Sequence, residues 1–158
     1  KEQYEERCAA MAAHHKGTDY HMVIGSGMLW GEAYDYAMCI LEEMQWKRTR
    51  YITSADFFHG TLELVEPGVP VFLFMGEDEN RKLDERVRAF LTRGVTGDTD
   101  INIIDTAEFA IPGLDDEFRV IVSPWILSSL ITDRLAAYYE TVTKHNLNYR
   151  RYYHQFDY

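Results

Sequence analysis

Cysteine, basic side chains and long apolar runs are all scarce in this sequence of 158 residues. The two cysteines, Cys8 and Cys39, show no metal-ligand spacing and fall in predicted helices. We therefore expect buried free thiols, as in a reducing cytoplasm, rather than a disulfide or a metal site. No apolar run approaches the roughly 18–20 residues that a membrane span needs, and no signal peptide precedes the first predicted helix. The sequence therefore predicts a cytoplasmic protein without a membrane partner.

The shortage of basic residues bears on the ligands that the chain could bind. Lysine and arginine number 16 against 26 aspartates and glutamates, which leaves a net charge of −10. A groove that follows the phosphates of a nucleic acid needs the opposite balance, so the sequence argues against a nucleic-acid partner. A small anionic substrate stays possible, because a local cluster of cations can oppose the field of the whole chain.

Apolar residues make up 46% of the chain, which is enough for one folded domain of ordinary size. Predicted strands alternate with predicted helices along the sequence. This alternation is typical of an α/β protein, here a three-layer α/β/α sandwich with a mostly parallel sheet of about five strands. We expect residues 1–148 to form the domain and the aromatic-rich residues 149–158 to form a tail docked on it.

Hydrophobic periodicity places the individual elements. Helices are predicted at 2–16, 28–46, 81–93 and 124–144, and strands at 20–24, 50–53, 69–75 and 101–104. The segment 118–122 is either a fifth strand or the lead into the last helix. That last helix has a wide apolar arc, which indicates burial against a second domain or subunit.

Two loops that follow predicted strands are candidates for a binding site. Gly25-Ser26-Gly27 follows the first strand and Ser54–His59 follows the second, so both belong at the carboxyl edge of the sheet, where open α/β sheets bind ligands. Glycines let a ligand approach the backbone, and a helix start favours anions. The motif is not GxGxxG, because Leu29 and Trp30 stand before Gly31. A tight connection that binds no ligand is therefore an equal alternative.

Glu43 and His59 are two side chains that can move protons near neutral pH, and they lie 16 positions apart. Glu43 follows Ile40 by three residues, at the edge of the apolar stripe of its predicted helix. A half-buried carboxylate there could act as a base. From spacing alone, a surface glutamate and an ordinary loop histidine remain the simpler interpretations.

Two adjacent histidines, His14 and His15, stand at the end of the first predicted helix. A pair of imidazoles could bind a metal ion, but neighbouring residues on a helix point in different directions. We therefore predict no metal site there, and we expect His21 and His145 to be structural.

Four segments of the sequence carry a family resemblance. They are Glu42–Trp46, Phe57–Gly60, Asp84–Arg86 with Phe90-Leu91, and Tyr149–Tyr152. Together they resemble the sugar isomerase (SIS) family, most closely its fructosamine-phosphate deglycases, and the likeness covers the chain from about Tyr20 onward. The resemblance implies a flavodoxin-like SIS domain, no metal or redox cofactor, and a homodimer or higher homo-oligomer.

The resemblance also implies how the chain is organised. Enzymes of this family carry two SIS domains, and the present chain resembles the second, so we expect it to be part of a longer protein. The first domain would supply a serine- and threonine-rich loop that holds the sugar phosphate. No such loop occurs here, because Ser26 and Ser54 are isolated.

By the same resemblance, Glu43 corresponds to the catalytic glutamate and His59 to the catalytic histidine, which related enzymes supply across a dimer interface. The residues expected to contact the substrate are Gly25, Ser26, Gly27, Ser54 and, from an alignment of the tail with a related synthase that has a lysine near the sugar, His154. Relatives usually read Ser-Gly-Glu where this chain has Ser54-Ala55-Asp56, and Thr61 replaces a proline. These departures bear on the identity of the substrate more than on the fold.

The function implied is that of a deglycase that cleaves 6-phosphofructosyl-amines, the Amadori products, to a hexose 6-phosphate and an amine. An aldose–ketose or amino-sugar phosphate isomerase could use the same two residues without hydrolysis. A non-catalytic sugar-phosphate sensor is a third alternative. It is disfavoured because this chain has Glu43 and His59 but lacks the phosphate loop.

Overall fold

The computed structural model describes residues 2–94 and 96–157, so that Lys1, Val95 and Tyr158 of the predicted domain and tail lie outside the described residues. The strands are β1 (Tyr20–Gly25), β2 (Arg48–Ile52), β3 (Pro70–Met75) and β4 (Asp100–Asp105). The helices are α1 (Glu2–His15), α2 (Trp30–Tyr34), α3 (Arg81–Leu91), α4 (Asp116–Leu130) and α5 (Ala136–Thr143). The π-helical segment Asp35–Met44 continues α2, and the two together are called helix 30–44. A second π-helical segment, Ile131–Leu135, joins α4 to α5, and this unit is called the C-terminal helix.

The four strands form one parallel sheet in the order β2-β1-β3-β4. Val23 of β1 lies opposite Tyr51 of β2 and Phe72 of β3, and Phe72 in turn lies opposite Asn102 of β4. A parallel pair needs a crossover connection. Helix 30–44 connects β1 to β2, and α3 connects β3 to β4. The predicted parallel α/β sheet is confirmed.

The strand count differs from the prediction, because the segment 118–122 belongs to α4. The described residues contain four strands in this sheet rather than about five. Asp115 is extended, and Asp116 and Glu117 follow it in the first turn of α4, where negative charge favours a helix N-terminus. A short apolar run fits either element, so the acidic start is the local feature that favours the helix.

Side chains of the central strand β3 alternate between the two faces of the sheet. Phe72 and Phe74 join the larger core, which also contains α1, helix 30–44 and the C-terminal helix. Val71, Leu73 and Met75 join a smaller core that includes buried residues of α3. All six residues of β3 are buried, which explains its continuous apolar run and confirms the three-layer arrangement.

Helix 30–44 packs its predicted apolar stripe onto the sheet. The buried residues of this stripe are Ala33, Tyr36, Ala37, Ile40 and Leu41. Ten residues, Asp35–Met44, are π-helical rather than α-helical, and the backbone N–H of Gln45 donates to the carbonyl of Ile40 at 3.0 Å. Such turns are rare and often lie at functional sites. Glu43 lies in this segment.

The C-terminal helix packs only one side onto the larger core. Its buried residues include Leu127, Ile131 and Tyr139, whereas Ile121 and Trp125 are 64% and 75% exposed. By length and composition alone, its 28 residues could cross a membrane, a test that core helices of globular domains also pass. The buried side indicates a core helix. The exposed apolar side is consistent with the predicted burial against a second domain or subunit, which stays a prediction.

His21 is fully buried in the larger core. Its Nε2 lies 3.0 Å from the hydroxyl of Tyr139. Burial lowers the pKa of His21 to about 3, and the nearby charge of Lys47 acts in the same direction. The imidazole is therefore neutral at physiological pH, consistent with the structural role predicted for it.

Candidate active site

A hydrogen-bonded cluster joins three loops at the carboxyl edge of the sheet. The backbone N–H of Ser54 donates to Oγ of Ser26 at 2.7 Å, and Oγ of Ser54 donates to Oδ1 of Asp84 at 2.6 Å. The second oxygen of Asp84 accepts from the backbone N–H of Gly76 at 3.3 Å. Ser26, Ser54 and Asp84 are all buried. These contacts hold the loops after β1, β2 and β3 together.

The glycine loop after β1 is closely packed by the protein itself. A Cβ atom on Gly25 would lie 2.8 Å from Cβ of Ala33, so this glycine lets helix 30–44 approach β1. Gly27 has φ +55°, and a Cβ atom there would lie 2.1 Å from Oδ2 of Asp78. The same oxygen accepts from the backbone N–H of Met28 at 2.6 Å. The carboxylate of Asp78 thus already accepts a hydrogen bond from the backbone N–H that an anionic ligand at this loop would need.

The buried carboxyl of Asp84 makes the stability of this cluster depend on pH. Burial raises the pKa of Asp84 from 3.8 to about 6, although hydrogen bonds from Ser54 and Gly76 act in the opposite direction. The folded protein therefore holds this proton more tightly than the unfolded chain does. The contribution of Asp84 to the free energy of unfolding is then greatest below about pH 4 and falls as the pH rises to about 6.

We expect the difference in free energy of unfolding between the wild type and Asp84→Asn to fall as the pH rises from about 4 to about 6. Asparagine cannot ionise, so it removes this dependence. Urea unfolding at constant ionic strength measures the difference, and Asp98→Asn, an exposed acid, is the matched control. A pH-independent difference for Asp84→Asn would contradict the expectation.

His59 lies in the loop after β2, at the end of the turn Phe57–His59. Phe57 is fully buried, and its ring packs edge-on against Phe58 and Phe90 at 5.1 and 5.7 Å between centroids. Arg86 lies over the ring of Phe58 at 4.0 Å. The aromatic side chains anchor the loop, and His59 itself is exposed at the carboxyl edge of the sheet.

Glu43 lies at the other edge, where helix 30–44 returns to the amino end of β2. Its Oε1 atom pairs with a guanidinium nitrogen of Arg150 at 3.0 Å, and its side chain is 34% exposed. The pair lies in an open cleft of about 520 Å³. The lining residues are Glu42, Glu43, Trp46, Lys47, Arg48, Arg150, Arg151, Tyr152 and Tyr153.

This cleft is locally cationic although the chain is acidic. Lys47, Arg48, Arg150 and Arg151 line it against the two carboxylates of Glu42 and Glu43. Such a balance favours an anionic ligand over a cationic one. The sequence is compatible with such a local cationic site but does not indicate where it lies. Its cationic residues come from the start of β2 and from the tail.

The tail contacts the domain at this cleft. The guanidinium of Arg151 lies 4.2 Å from the ring centroid of Trp46, and the Trp46 ring packs against His145 at 4.5 Å. A cation over an indole ring is a favourable contact. His154 is exposed with its ring 4.2 Å from that of Tyr153, and it is not among the residues that line the cleft.

Apart from His154 in the tail, the predicted site residues therefore fall into two groups at opposite edges of the sheet. Gly25, Ser26, Gly27, Ser54 and His59 lie at the carboxyl edge, whereas Glu43 lies at the amino edge. The five residues of β2 separate Glu43 from His59, a span of about 16 Å. The structure does not bring these two side chains together within one chain.

Comparison with known proteins identifies relatives of this chain in sequence and in structure. No family model matches the sequence. Fructosamine deglycase FrlB of Bacillus subtilis is 29% identical over 153 residues, which are 95% of this chain and 44% of that protein. Fructoselysine 6-phosphate deglycase of Escherichia coli is 33% identical over 133 residues, 82% of this chain and 36% of that protein. A Bacillus subtilis structure described as a phosphosugar isomerase superimposes on 99% of this chain and 47% of its own, with a TM-score of 0.89 and 27% identity.

The chain is an SIS domain. It spans less than half the length of these relatives. The C-terminal domain of a glucosamine-fructose-6-phosphate aminotransferase from Francisella tularensis, with a TM-score of 0.61 and 12% identity, shares the fold alone.

Sequence reasoning missed three features of the SIS domain's candidate site. Asp84 and Arg150 occur in segments that carry the family resemblance, which predicts no contact for either of them, and the sequence predicts no role for Asp78. Their contacts join residues that are far apart in sequence, such as Ser54 with Asp84 and Glu43 with Arg150. The Tyr149–Tyr152 segment was the one available signal for Arg150, and it indicated no specific contact.

Proposed function

We propose that this SIS domain carries the catalytic carboxylate, Glu43, of an enzyme that deglycates 6-phosphofructosyl-amines. One observation carries the proposal: Glu43 lies in a cationic cleft, paired with Arg150 rather than free in bulk water. The similarity to a fructosamine deglycase and a fructoselysine 6-phosphate deglycase supports this class of substrate. The phosphorylated ketosamine is an anion, which suits the charge of the cleft.

The chemistry assigned to Glu43 is a proton transfer between neighbouring carbons. In the open-chain ketosamine, the carboxylate removes a proton from C1 while the C2 oxygen gains one, which gives an enolamine. The carboxylate then returns its proton to C2 as the amine nitrogen loses its own. The product is an imine between C1 and the amine nitrogen. Water adds to the imine and releases the amine, which leaves a hexose 6-phosphate. No electrons leave the substrate, so the reaction needs no redox cofactor.

The second proton carrier, His59, opens the sugar ring in this proposal. Because Glu43 and His59 lie at opposite edges of one domain, His59 acts from a second copy in a homodimer. The domain of residues 1–148 is the second of two in the whole protein, and the tail of residues 149–158 borders the site. Gly25, Ser26, Gly27, Ser54 and His154 stay predicted substrate contacts. The free cysteines fit action in the cytoplasm.

The test is to incubate the full-length protein with a 6-phosphofructosyl amino acid and to assay both free amine and hexose 6-phosphate. We expect the two products in equal amounts, and much slower release from the unphosphorylated fructosyl amino acid. Fructose 6-phosphate is assayed in parallel for conversion to aldose.

The outcomes separate the alternative functions. Conversion of fructose 6-phosphate without amine release from the ketosamine would indicate a sugar phosphate isomerase instead. Saturable binding of the phosphorylated ketosamine without turnover of either compound would indicate a sensor. Either result would overturn the deglycase proposal.

A further inference from the structure

The last turn of α1 and the first residue of β4 meet at the amino edge of the sheet. His14 and His15 end α1, and Nε2 of each imidazole lies against Oδ2 of Asp100. The distance is 3.2 Å for His14, and His15 is hydrogen-bonded to the same oxygen. The expectation that these neighbouring imidazoles point apart is therefore wrong. Asp100 accepts contacts from both, and the two rings lie 5.0 Å apart.

The three side chains are held in place to different degrees. His15 is 2% exposed and packs edge-on against Phe72. The other oxygen of Asp100, Oδ1, accepts from the side-chain amide of Asn102 at 3.1 Å, which orients the carboxylate. The side chain of His14 is 72% exposed, so it opens the group to solvent. Two of the three groups are thus held by the fold, and the third is free to adjust.

We propose that Nε2 of His14, Nε2 of His15 and Oδ2 of Asp100 form a binding site for a divalent transition-metal ion such as Zn²⁺. Two imidazoles and a carboxylate favour zinc, cobalt or nickel, whereas magnesium and calcium prefer oxygen ligands alone. Ligand atoms on one tetrahedral zinc ion lie about 3.3 Å apart. The distance from Nε2 of His14 to Oδ2 of Asp100 is 3.2 Å, and all three atoms lie within 4.8 Å of one another.

The remaining coordination position faces solvent beside His14, where water completes the shell. On binding, the ion displaces the proton that His15 shares with Asp100. The Nε2 atom of His15 and the Oδ2 atom of Asp100 must also move apart, because the ion takes the place of their direct hydrogen bond, and the exposed His14 ring can rotate to complete the set. A metal ion at this place joins the end of α1 to the edge strand β4.

The positive charge of Lys47 near the site is expected to weaken metal binding, so that the ion exchanges with solution. Lys47 lies close enough to His15 for its charge to oppose a cation there. Its ammonium group is held by the backbone carbonyls of Lys16 and Thr18 at 3.3 and 2.6 Å. Asp100 alone offsets half the charge of a dication. We therefore expect the ion to stabilise the fold increasingly, with the logarithm of its free concentration, once that concentration exceeds the Kd.

The experiment is a Zn²⁺ titration of the full-length protein, with any affinity tag removed, in competition with a chromophoric chelator. Thermal unfolding is followed at the same zinc concentrations. We expect a saturable site for one ion per chain and a Tm that rises with zinc. Co²⁺ in place of zinc is expected to give the visible d–d bands of a site with nitrogen and oxygen ligands.

Two variants test the ligands without replacing the buried His15. His14→Ala and Asp100→Asn are each expected to weaken zinc binding by at least about tenfold, since losing even an outer partner of a metal site costs about 10- to 100-fold. His154→Ala, which removes another exposed histidine, is the matched control and is expected to bind like the wild type. Unfolding without metal shows that each variant is folded. Equal affinity in the wild type, His14→Ala and Asp100→Asn would overturn the proposal and leave a His–Asp hydrogen-bond cluster.

Discussion

Replacing Glu43 by glutamine is expected to lower the kcat of the full-length protein on a 6-phosphofructosyl amino acid by about 10²- to 10⁴-fold, the range that a positioned general base contributes. Glutamine keeps the shape of the side chain and an oxygen that can accept from Arg150, but it cannot take a proton from carbon. Initial rates of amine release measure the loss, and circular dichroism checks the fold. Glu117→Gln, at an exposed position of α4, is the control and is expected to retain its activity. Activity of Glu43→Gln close to that of the wild type would remove Glu43 from the mechanism.

The separation of Glu43 from His59 makes a stricter test possible. His59→Asn is also expected to be nearly inactive by itself. If the two residues act across a dimer, a mixed dimer of Glu43→Gln and His59→Asn contains one site with both residues intact. Co-refolding equal amounts of the two variants should then restore about one quarter of the wild-type activity by random pairing. No recovery in confirmed mixed dimers would mean that His59 does not complete the site of a second copy.

Truncating Phe72 to alanine is expected to lower the free energy of unfolding by about 3–5 kcal/mol, the usual cost of emptying a large buried aromatic site. Phe72 is fully buried in β3, and its ring contacts His15, His21 and Tyr36 at 5.6, 6.2 and 5.6 Å between centroids. These neighbours come from α1, β1 and helix 30–44, which cannot all move in to fill the space. Urea unfolding followed by circular dichroism measures the loss.

Phe72→Leu provides the graded control for this prediction. It keeps most of the apolar volume, so the expected loss is roughly 1–2 kcal/mol. Equal losses for leucine and alanine would indicate that the site collapses around either side chain. That result would contradict the rigid packing that three elements impose on Phe72.

Much of the fold followed from local pattern. The strand predicted at 69–75 corresponds to β3, and the helix predicted at 28–46 with its apolar stripe corresponds to helix 30–44, which packs that stripe on the sheet. The segment 118–122 stayed ambiguous, because a short run of four apolar residues interrupted by Arg119 fits a strand or a helix equally well. The structure places it in α4.

The candidate site was harder to predict than the fold. The loops after β1 and β2 were expected at the carboxyl edge, and they lie there. The convergence of His14 and His15 was missed, because helical geometry separates neighbouring residues unless a third group lies between them. Asp100 is that group, and it lies 85 positions from His15.

The sequence by itself determined the parallel three-layer architecture and the family resemblance, and the pair Glu43 and His59 was predicted from that resemblance. The architecture and the resemblance depend on residue types, local periodicity and short segments of the chain. Only the tertiary structure decided that Glu43 and His59 lie at opposite edges of the sheet, that Arg150 pairs with Glu43, and that Asp78 occupies the glycine loop. The physical reason is that these arrangements depend on where crossovers and a distant tail bring side chains together, and local sequence preferences do not encode such contacts.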